Sequence, residues 1–404
     1  MSYIRRGTHK FKMVNLALFA GGFCTFAILW GTQPLLPDLA KEFHLSPAVS
    51  SLSLSSATIA LSISLLVFGS LSEVFGRKPV MTFSLFVSSI LCILTAFTPN
   101  FHFLIVSRIL QGVALAGLPA VAMAYLGEEI EPKSLGMAMG LYISGNSVGG
   151  MAGRIISGIL TDYFSWHIAL FGIGIISLLA SIAFLLILPP STHFNPQKFA
   201  LKQLTGSLFS QFKEPGLLYL FGIGFLLMGS FVSLYNYIGF QLIKPPYSLS
   251  QTVVGFIFIV YIVGTFSSTW MGMLSDQYGK RKIILLSLLI LLIGACMTLN
   301  TNLWFKIFGI AVFTYGFFAA HSIASSWVGK AATHDKAQAS ALYLFFYYAG
   351  SSIGGTASGA FYGHFGWSGV VAMIVVLTLA SIVVSFRLGS KTRISKLEKL
   401  QQSS

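Results

Sequence analysis

Two stretches of this chain read as nucleophile elbows. Gly145-Asn146-Ser147-Val148-Gly149 and Gly350-Ser351-Ser352-Ile353-Gly354 both fit G-x-S-x-G, the pattern that exposes a catalytic serine, and His321 is at hand as a base. Serine hydrolysis is one chemistry on offer. A second group of residues offers another. Arg108, Arg154, Lys306 and His321 lie inside long apolar runs, where an ionisable group is functional by default. An arginine's planar fork matches a carboxylate or phosphate in two parallel bonds. An unperturbed histidine titrates at pH ~6.5 and suits proton transfer. The 11 acidic residues all avoid the depths of the apolar runs. A transported proton would therefore sit on His321, or on Asp38 at the end of the first run. Plainer readings stand beside these: Asp38 as a solvated loop acid, Arg154 as a cation snorkelling to the interface, His321 as a hydrogen-bonded packing residue.

The elements that position these residues are apolar and numerous. Apolar residues make up 55% of the 404-residue chain and charged residues 9%, where a soluble domain carries about 25% charged residues. Twelve runs meet the requirement of about 20 mostly apolar residues for a bilayer span: 15–37, 49–70, 79–98, 103–126, 134–161, 168–189, 216–240, 251–272, 283–301, 303–329, 337–361 and 368–388. An all-α membrane protein follows. The first run holds Trp30 and Gln33, the fourth Arg108 and Gln111, and the fifth Asn146 and Arg154. Tyr235, Asn236 and Tyr237 lie in the seventh, Tyr343, Tyr347 and Tyr348 in the eleventh. Rings with a polar tip line partly wet cavities and also form interfacial belts. Asn146, Gly150 and Arg154 share one helix face at a spacing of four, matched to Ser351, Gly355 and Gly359 later in the chain.

The charges orient these spans. Of the 25 Lys and Arg residues, 20 fall on the N-tail, the even-to-odd loops and the C-tail, among them Lys198, Lys202, Lys391, Arg393, Lys396 and Lys399. The opposite side holds Lys41 and Lys244. The positive-inside rule then places both termini in the cytoplasm. The net charge of +14 is thereby topological, and no nucleic-acid partner is expected. The basic N-terminus precedes an apolar run without a small-residue cleavage site, which reads as a first span. The three cysteines, Cys24, Cys92 and Cys296, imply no disulfide framework. No P-loop, metal cluster or redox motif is present in the sequence, so no cofactor or metal is expected.

The chain repeats itself. "GSLSEVFGRK" at Gly69 returns as "GMLSDQYGKRK" at Gly272, 203 residues later; "GNSVGG" at Gly145 returns as "GSSIGG" at Gly350, 205 later; "FSW" at Phe164 returns as "FGW" at Phe365, 201 later. Two parallel halves of six spans result. A hydrolase needs one elbow on a strand-to-helix turn, whereas both strings lie mid-span in matching helices. Gly145, Gly149 and Gly153, with Gly150 beside them, and Gly350 and Gly354, with Gly355, supply flat faces for close helix packing.

These motifs, with Arg108-x-x-Gln111-Gly112 and "QPLLPDLA" at the end of the first span, resemble the major facilitator superfamily in its twelve-span drug:proton antiporter branch, across nearly the whole chain. The resemblance implies two pseudo-symmetric six-helix bundles around a central cavity: residues 1–189, a cytoplasmic linker 190–215, and 216–404. In the linker, Leu201, Leu204, Leu208 and Phe212 at helical spacing predict an interfacial helix, with a flexible linker as the alternative. The family's cytoplasmic latch maps onto Gly69, Glu73, Gly76 and Arg77, and onto Gly272, Asp276, Gly279, Lys280 and Arg281, where the second copy matches better. Glu128 or Glu129 is expected to pair with Arg77; the alternative is that these charges only set topology. In the family spans 1 and 4 pack together, so Arg108 and Asp38 are expected to meet. The antiporter motif of span 5 departs from its pattern: Asn146 replaces the proline, and Leu141 stands where an earlier glycine is expected.

The expected function is proton-coupled export of a small organic solute from a bacterium across its inner membrane, by a monomer working through alternating access. Cations rather than carboxylates lie within the spans, so the solute is expected to be anionic or zwitterionic, with its acid group near Arg154 and Asn146. A symporter or exchanger of organic anions or sugars, a sensor without flux, and an intramembrane hydrolase remain as alternatives.

Overall fold

The computed structural model describes residues 3–194, 196, 201–214 and 216–402, with side chains described from 205 in the linker helix and up to 388 at the C-terminus. Lys198 and the side chains of Leu201, Lys202, Leu204, Lys391, Arg393, Lys396 and Lys399 lie outside the described residues.

The described chain is helical throughout. The helices are α1 (His9–Trp30), α2 (Leu36–Glu42), α3 (Pro47–Phe75), α4 (Arg77–Thr95), α5 (Phe101–Leu115), α6 (Gly117–Glu129), α7 (Pro132–Tyr163), α8 (Trp166–Ile187), α9 (Leu201–Gln211), α10 (Leu217–Ile243), α11 (Gln251–Phe256), α12 (Tyr261–Tyr278), α13 (Lys280–Met297), α14 (Leu303–Ala331) and α15 (Lys336–Gln402). Three spans are broken. Pro34 lacks an N–H for the carbonyl four residues back, so α1 gives way to a 3-10 turn, Gln33–Leu35, before α2. The α5 and α6 pair breaks at Ala116, and α11 and α12 are joined by the 3-10 turn Ile257–Val260. Gly366, at φ 59°, divides α15 into two spans. Among the described residues nine helical segments are long and apolar enough to cross a membrane. Dividing α15 adds one, and α7 and α13 complete twelve. Those two fall short on composition alone: α7 carries Asn146, Arg154 and a glycine row, and α13 starts with Lys280-Arg281-Lys282. Large apolar side chains such as Leu186, Trp304 and Phe97 stand exposed, as lipid-facing residues do.

The repeat is written into the helix ends. Ser46 and Ser250, 204 residues apart, each cap a helix by accepting the N–H of the third residue on; Asn100 and Asn302, 202 apart, do the same. Gly76 and Gly279 both take φ above +90° between a long helix and the next, a conformation open to glycine.

Two compact units make up the chain. The first comprises Met1–Ala200 with Leu242–Phe258, the second Leu201–Gln241 with Ile259–Ser404. In lipid, helices associate through close packing at small residues, and both units do so. A Cβ on Gly145, Gly149 or Gly153 of α7 would lie within 2.1–2.6 Å of the backbone of Phe19, Phe23 or Ala27 on α1. In the second unit, a Cβ on Gly350 would meet the Phe225 carbonyl at 2.0 Å, and one on Gly354 the Gly229 Cα at 2.7 Å. Phe225 and Gly229 follow Phe23 and Ala27 by 202 residues, so Gly350 is the counterpart of Gly149, not of Gly145. The text match of "GNSVGG" to "GSSIGG" is thus one helical turn out of register. The true counterparts of Asn146, Gly150 and Arg154 are Tyr347, Ser351 and Gly355.

Candidate functional site

In the first unit, Arg154 on α7 is 1% exposed and fully enclosed by protein groups. Its Nε donates to Gln33 Oε1 at 2.7 Å and its Nη1 to the Gly150 carbonyl at 2.7 Å. The guanidinium lies 4.8 Å from the ring centres of both Trp30 and Phe258. The break after α1 is what sets Trp30, its last residue, and Gln33 beside α7. Each cation–ring contact contributes about 0.5–2 kcal/mol. The sequence offers Arg154 no acidic residue at its depth; the structure supplies a side-chain acceptor, a backbone carbonyl and two rings. Phe258 was missed because it lies 104 residues away, and nothing in its local pattern sets it apart. Asn146 Oδ1 sits against Gly22, 2.2 Å from where a Cβ there would be.

Arg108 does not pair with Asp38. Its Nε donates to the Ser53 carbonyl at 2.9 Å, Nη2 to Leu29 at 3.0 Å, and Nη1 to Ile28 at 3.3 Å and to Gln111 Oε1. Helix α1 stops at Trp30, so carbonyls in its last turn lack intrahelical donors, and a cation at a helix C-terminus is favourable. Arg108 caps the break in span 1. Gln111 in turn donates to Thr95 Oγ1 at 2.8 Å. Lys306, 2% exposed, likewise caps a helix C-terminus in the second unit, that of the unbroken α13. It donates to the carbonyl of Thr298, the residue that ends α13, and lies 5.4 Å from the Trp367 ring. Asp38 instead accepts from Gln251 Nε2 at 2.5 Å, and Asp162 from the Thr252 N–H at 3.4 Å. Both acids meet the start of α11, and there Gly158 and Gly255 face each other.

The second unit gathers the aromatic candidates. His321 Nδ1 lies 2.9 Å from the Tyr343 hydroxyl, and its ring sits 4.5 Å from Tyr347 and 6.0 Å from a parallel Phe317. Phe317 stacks on Phe231 at 3.8 Å, and Phe231 packs on Tyr235 at 4.7 Å. Tyr235 hydrogen-bonds Thr314 at 2.6 Å; Tyr237 donates to the Gly355 carbonyl at 2.7 Å, and Asn236 is buried beside Gly355. Tyr237 is thus tied to the Gly355 backbone, while His321, Tyr343 and Tyr347 form one cluster with Phe317. Among 36 phenylalanines, only tertiary packing singles out Phe231 and Phe317.

At the other ends of the helices lie the charge clusters. Arg77 Nη2 donates to Glu128 Oε1 at 2.7 Å, its Nε to both carboxylate oxygens at 3.2 Å, and its Nη1 to Ser72 at 2.5 Å. Glu129 is 1% exposed and accepts from the Thr192 N–H and hydroxyl at 2.6 Å and from the His193 N–H at 2.8 Å. It ties the chain after α8 to the end of α6. Glu73 is exposed. In the second unit, Asp276 meets Lys330 at 3.3 Å, Lys280 donates to Ser326 at 2.6 Å, and Arg281 to the Phe386 carbonyl at 3.3 Å. Lys330 follows Glu128 by 202 residues, so the equivalent position carries the opposite charge and takes the opposite partner.

Neither G-x-S-x-G string sits on a strand-to-helix turn; they lie inside α7 and α15. The Ser352 hydroxyl donates to the Tyr348 carbonyl of its own helix at 3.2 Å.

Comparison with known proteins agrees with this architecture. The family model described as Major Facilitator Superfamily matches residues 18–244 and 222–402. The chain is 55% identical over 385 residues to an uncharacterized MFS-type transporter, YybF, of Bacillus subtilis, covering 95% of each. It is 48% identical over 386 residues to the inner membrane transport protein YnfM of Escherichia coli, covering 96% of this chain and 93% of that one. Among solved structures, a bacterial homolog of the human lysosomal transporter Spinster, in an inward-facing and occupied conformation, superposes with a TM-score of 0.77 at 14% identity, covering 95% of this chain and 98% of that one.

Proposed function

Because this chain belongs to the major facilitator superfamily, and is a multi-pass membrane transporter in consequence, we propose that it exports a small anionic or zwitterionic organic solute in exchange for protons. The Arg154 box carries this reading. A permanently charged guanidinium is held edge-on by Gln33 and Gly150 and face-on by Trp30 and Phe258. A cation so fixed is oriented for an acid group, which meets it when the enclosing groups part during the transport cycle. The chain carries its cations rather than carboxylates inside the spans, which disfavours lipophilic cations as cargo. His321 and Asp38 are the proton sites proposed here. Both bundles work by alternating access, with the termini in the cytoplasm and the chain as a monomer.

The test is flux in liposomes of purified protein, with a panel of organic acids, zwitterions and cations at two external pH values. Acids should move and cations such as ethidium should not. Arg154→Lys keeps the charge and loses the fork, so apparent KM for the acid should rise at least tenfold with kcat less affected. Selective cation export that ignores Arg154→Lys would overturn the reading.

A further inference from the structure

The start of α13 is more basic than its counterpart in the first unit, and its cations are less occupied. Lys280, Arg281 and Lys282 follow one another there, and Arg387 lies on α15, which packs on α13. Arg281 links the two helices. Its Nη2 donates to the Phe386 carbonyl at 3.3 Å, and its guanidinium lies 5.3 Å from the Phe386 ring centre. By the offset of 203 the first unit has Arg77, Lys78 and Pro79 at the three consecutive positions, and by the offset of 201 Leu186 stands for Arg387. Both cations of the first unit have partners. Arg77 pairs with Glu128, and the Lys78 ammonium donates to the Leu188 carbonyl at 2.5 Å. In the second unit, Arg281 and Lys282 take part in no ion pair among the described residues. Charges that only mark a side of the membrane need not crowd, and adjacent like charges repel.

The surface next to this cluster is apolar and faces outward. Lys282, Leu286 and Leu289 share one face of α13 by helical spacing, and Leu379, Val383 and Arg387 share one face of α15; all six are exposed, as is Phe386. Each outward stripe thus runs from hydrocarbon to a cation, and Arg281 joins the two helices at that end. An amphiphile with an acid group at the head of its tails fits this arrangement, and a bilayer supplies one. A guanidinium matches a phosphate in two parallel bonds, and basic clusters between membrane helices hold acidic headgroups. We infer that the edge formed by α13 and α15 binds an anionic glycerophospholipid. Its phosphate meets Arg281, with Lys282 and Arg387 on either side, and its acyl chains lie along the two stripes. A zwitterionic headgroup would bring a further cation into the cluster, which disfavours it. The proposal needs the spans alone, not the cargo, coupling or direction of transport.

The test uses full-length protein in phosphatidylcholine nanodiscs doped with a phosphatidylglycerol that carries a diazirine beside its phosphate, mapped by peptide mass spectrometry. Labelling should concentrate in 279–289 and 379–388, at least fivefold above that from the matching phosphatidylcholine probe. Arg281→Gln combined with Lys282→Gln should cut it at least fivefold. Arg281→Lys, which keeps the charge and loses the fork, should cut it at least twofold. Lys282 and Arg387 are exposed, so Lys282→Gln with Arg387→Gln serves if the first pair fails to fold. Equal labelling by the phosphatidylcholine probe overturns the proposal, as does labelling that both double variants leave unchanged. Labelling spread evenly over the basic helix ends of the first unit, Lys12 and Lys78 among them, would show that the charges mark topology alone. Loss of labelling on adding glycerol 3-phosphate to the buffer would make this a site for soluble anions and overturn the lipid assignment.

Discussion

At the scale of single residues, the chain reuses one solution and inverts another. The reused one is a cation that caps the C-terminal end of a helix: Arg108 on the carbonyls at the end of α1, Lys306 on the carbonyl of Thr298. The inverted one is the charge pair near Gly76 and Gly279. Arg77 and its carboxylate partner are 10% and 29% exposed, and Asp276 and Lys330 are about two-thirds exposed. Exposed pairs contribute at most ~1 kcal/mol, while a half-buried, forked pair loses more when one partner is removed. Arg77→Ala should therefore destabilise the first unit by about 2 kcal/mol, and Asp276→Asn by less than ~1 kcal/mol, read by thermal unfolding in detergent. The better sequence match of the second motif predicts the reverse order. Equal losses would show that the Arg77 pair is as weak as the exposed one.

At the scale of the element, the glycine rows set what each helix tolerates. A Cβ at Gly149 or Gly350 would lie 2.1 Å or 2.0 Å from a carbonyl oxygen, and backbone cannot step aside without moving a whole helix. Gly149→Leu and Gly350→Leu should each lower the yield of monodisperse protein severalfold. Ser147→Ala and Ser352→Ala should leave yield and flux near wild type, and a fluorophosphonate probe should label neither serine. Covalent labelling at Ser147 or Ser352 would revive the hydrolase reading. The glycine spacing of four was readable in the letters. Its register was not, because one helical turn changes four letters and only the carbonyl that each glycine meets distinguishes Gly145 from Gly149 as the partner of Gly350.

At the scale of the molecule, charge placement predicts the sides of the membrane. A cysteine placed at Lys244 or Asn100 should react with an impermeant maleimide added to intact cells, and one at Lys202 should not; the opposite pattern would reverse the topology. Coupling is a property of the whole cycle as well. His321→Gln and Asp38→Asn should be compared in proton-driven uptake into inverted vesicles and in counterflow without a gradient. A proton site loses the first and keeps much of the second. If both variants keep the wild-type pH dependence, the exchange is not coupled through these residues.

Much of this protein follows from composition and period alone. Too few charges to face water, twelve apolar runs and a duplicated motif determine a helical membrane fold, since a backbone in lipid must satisfy itself and only a few arrangements do so. The contacts of its cations did not follow. Arg108 reaches carbonyls at 28, 29 and 53 rather than Asp38, and Arg154 finds Phe258 and Gln33. Backbone carbonyls carry no letter in the sequence, and a helix break frees them only where the tertiary packing brings a donor. That Arg77 would meet Glu128 or Glu129 was legible in the motif; packing decided that it meets Glu128, and decided the pairing of Lys330 with Asp276.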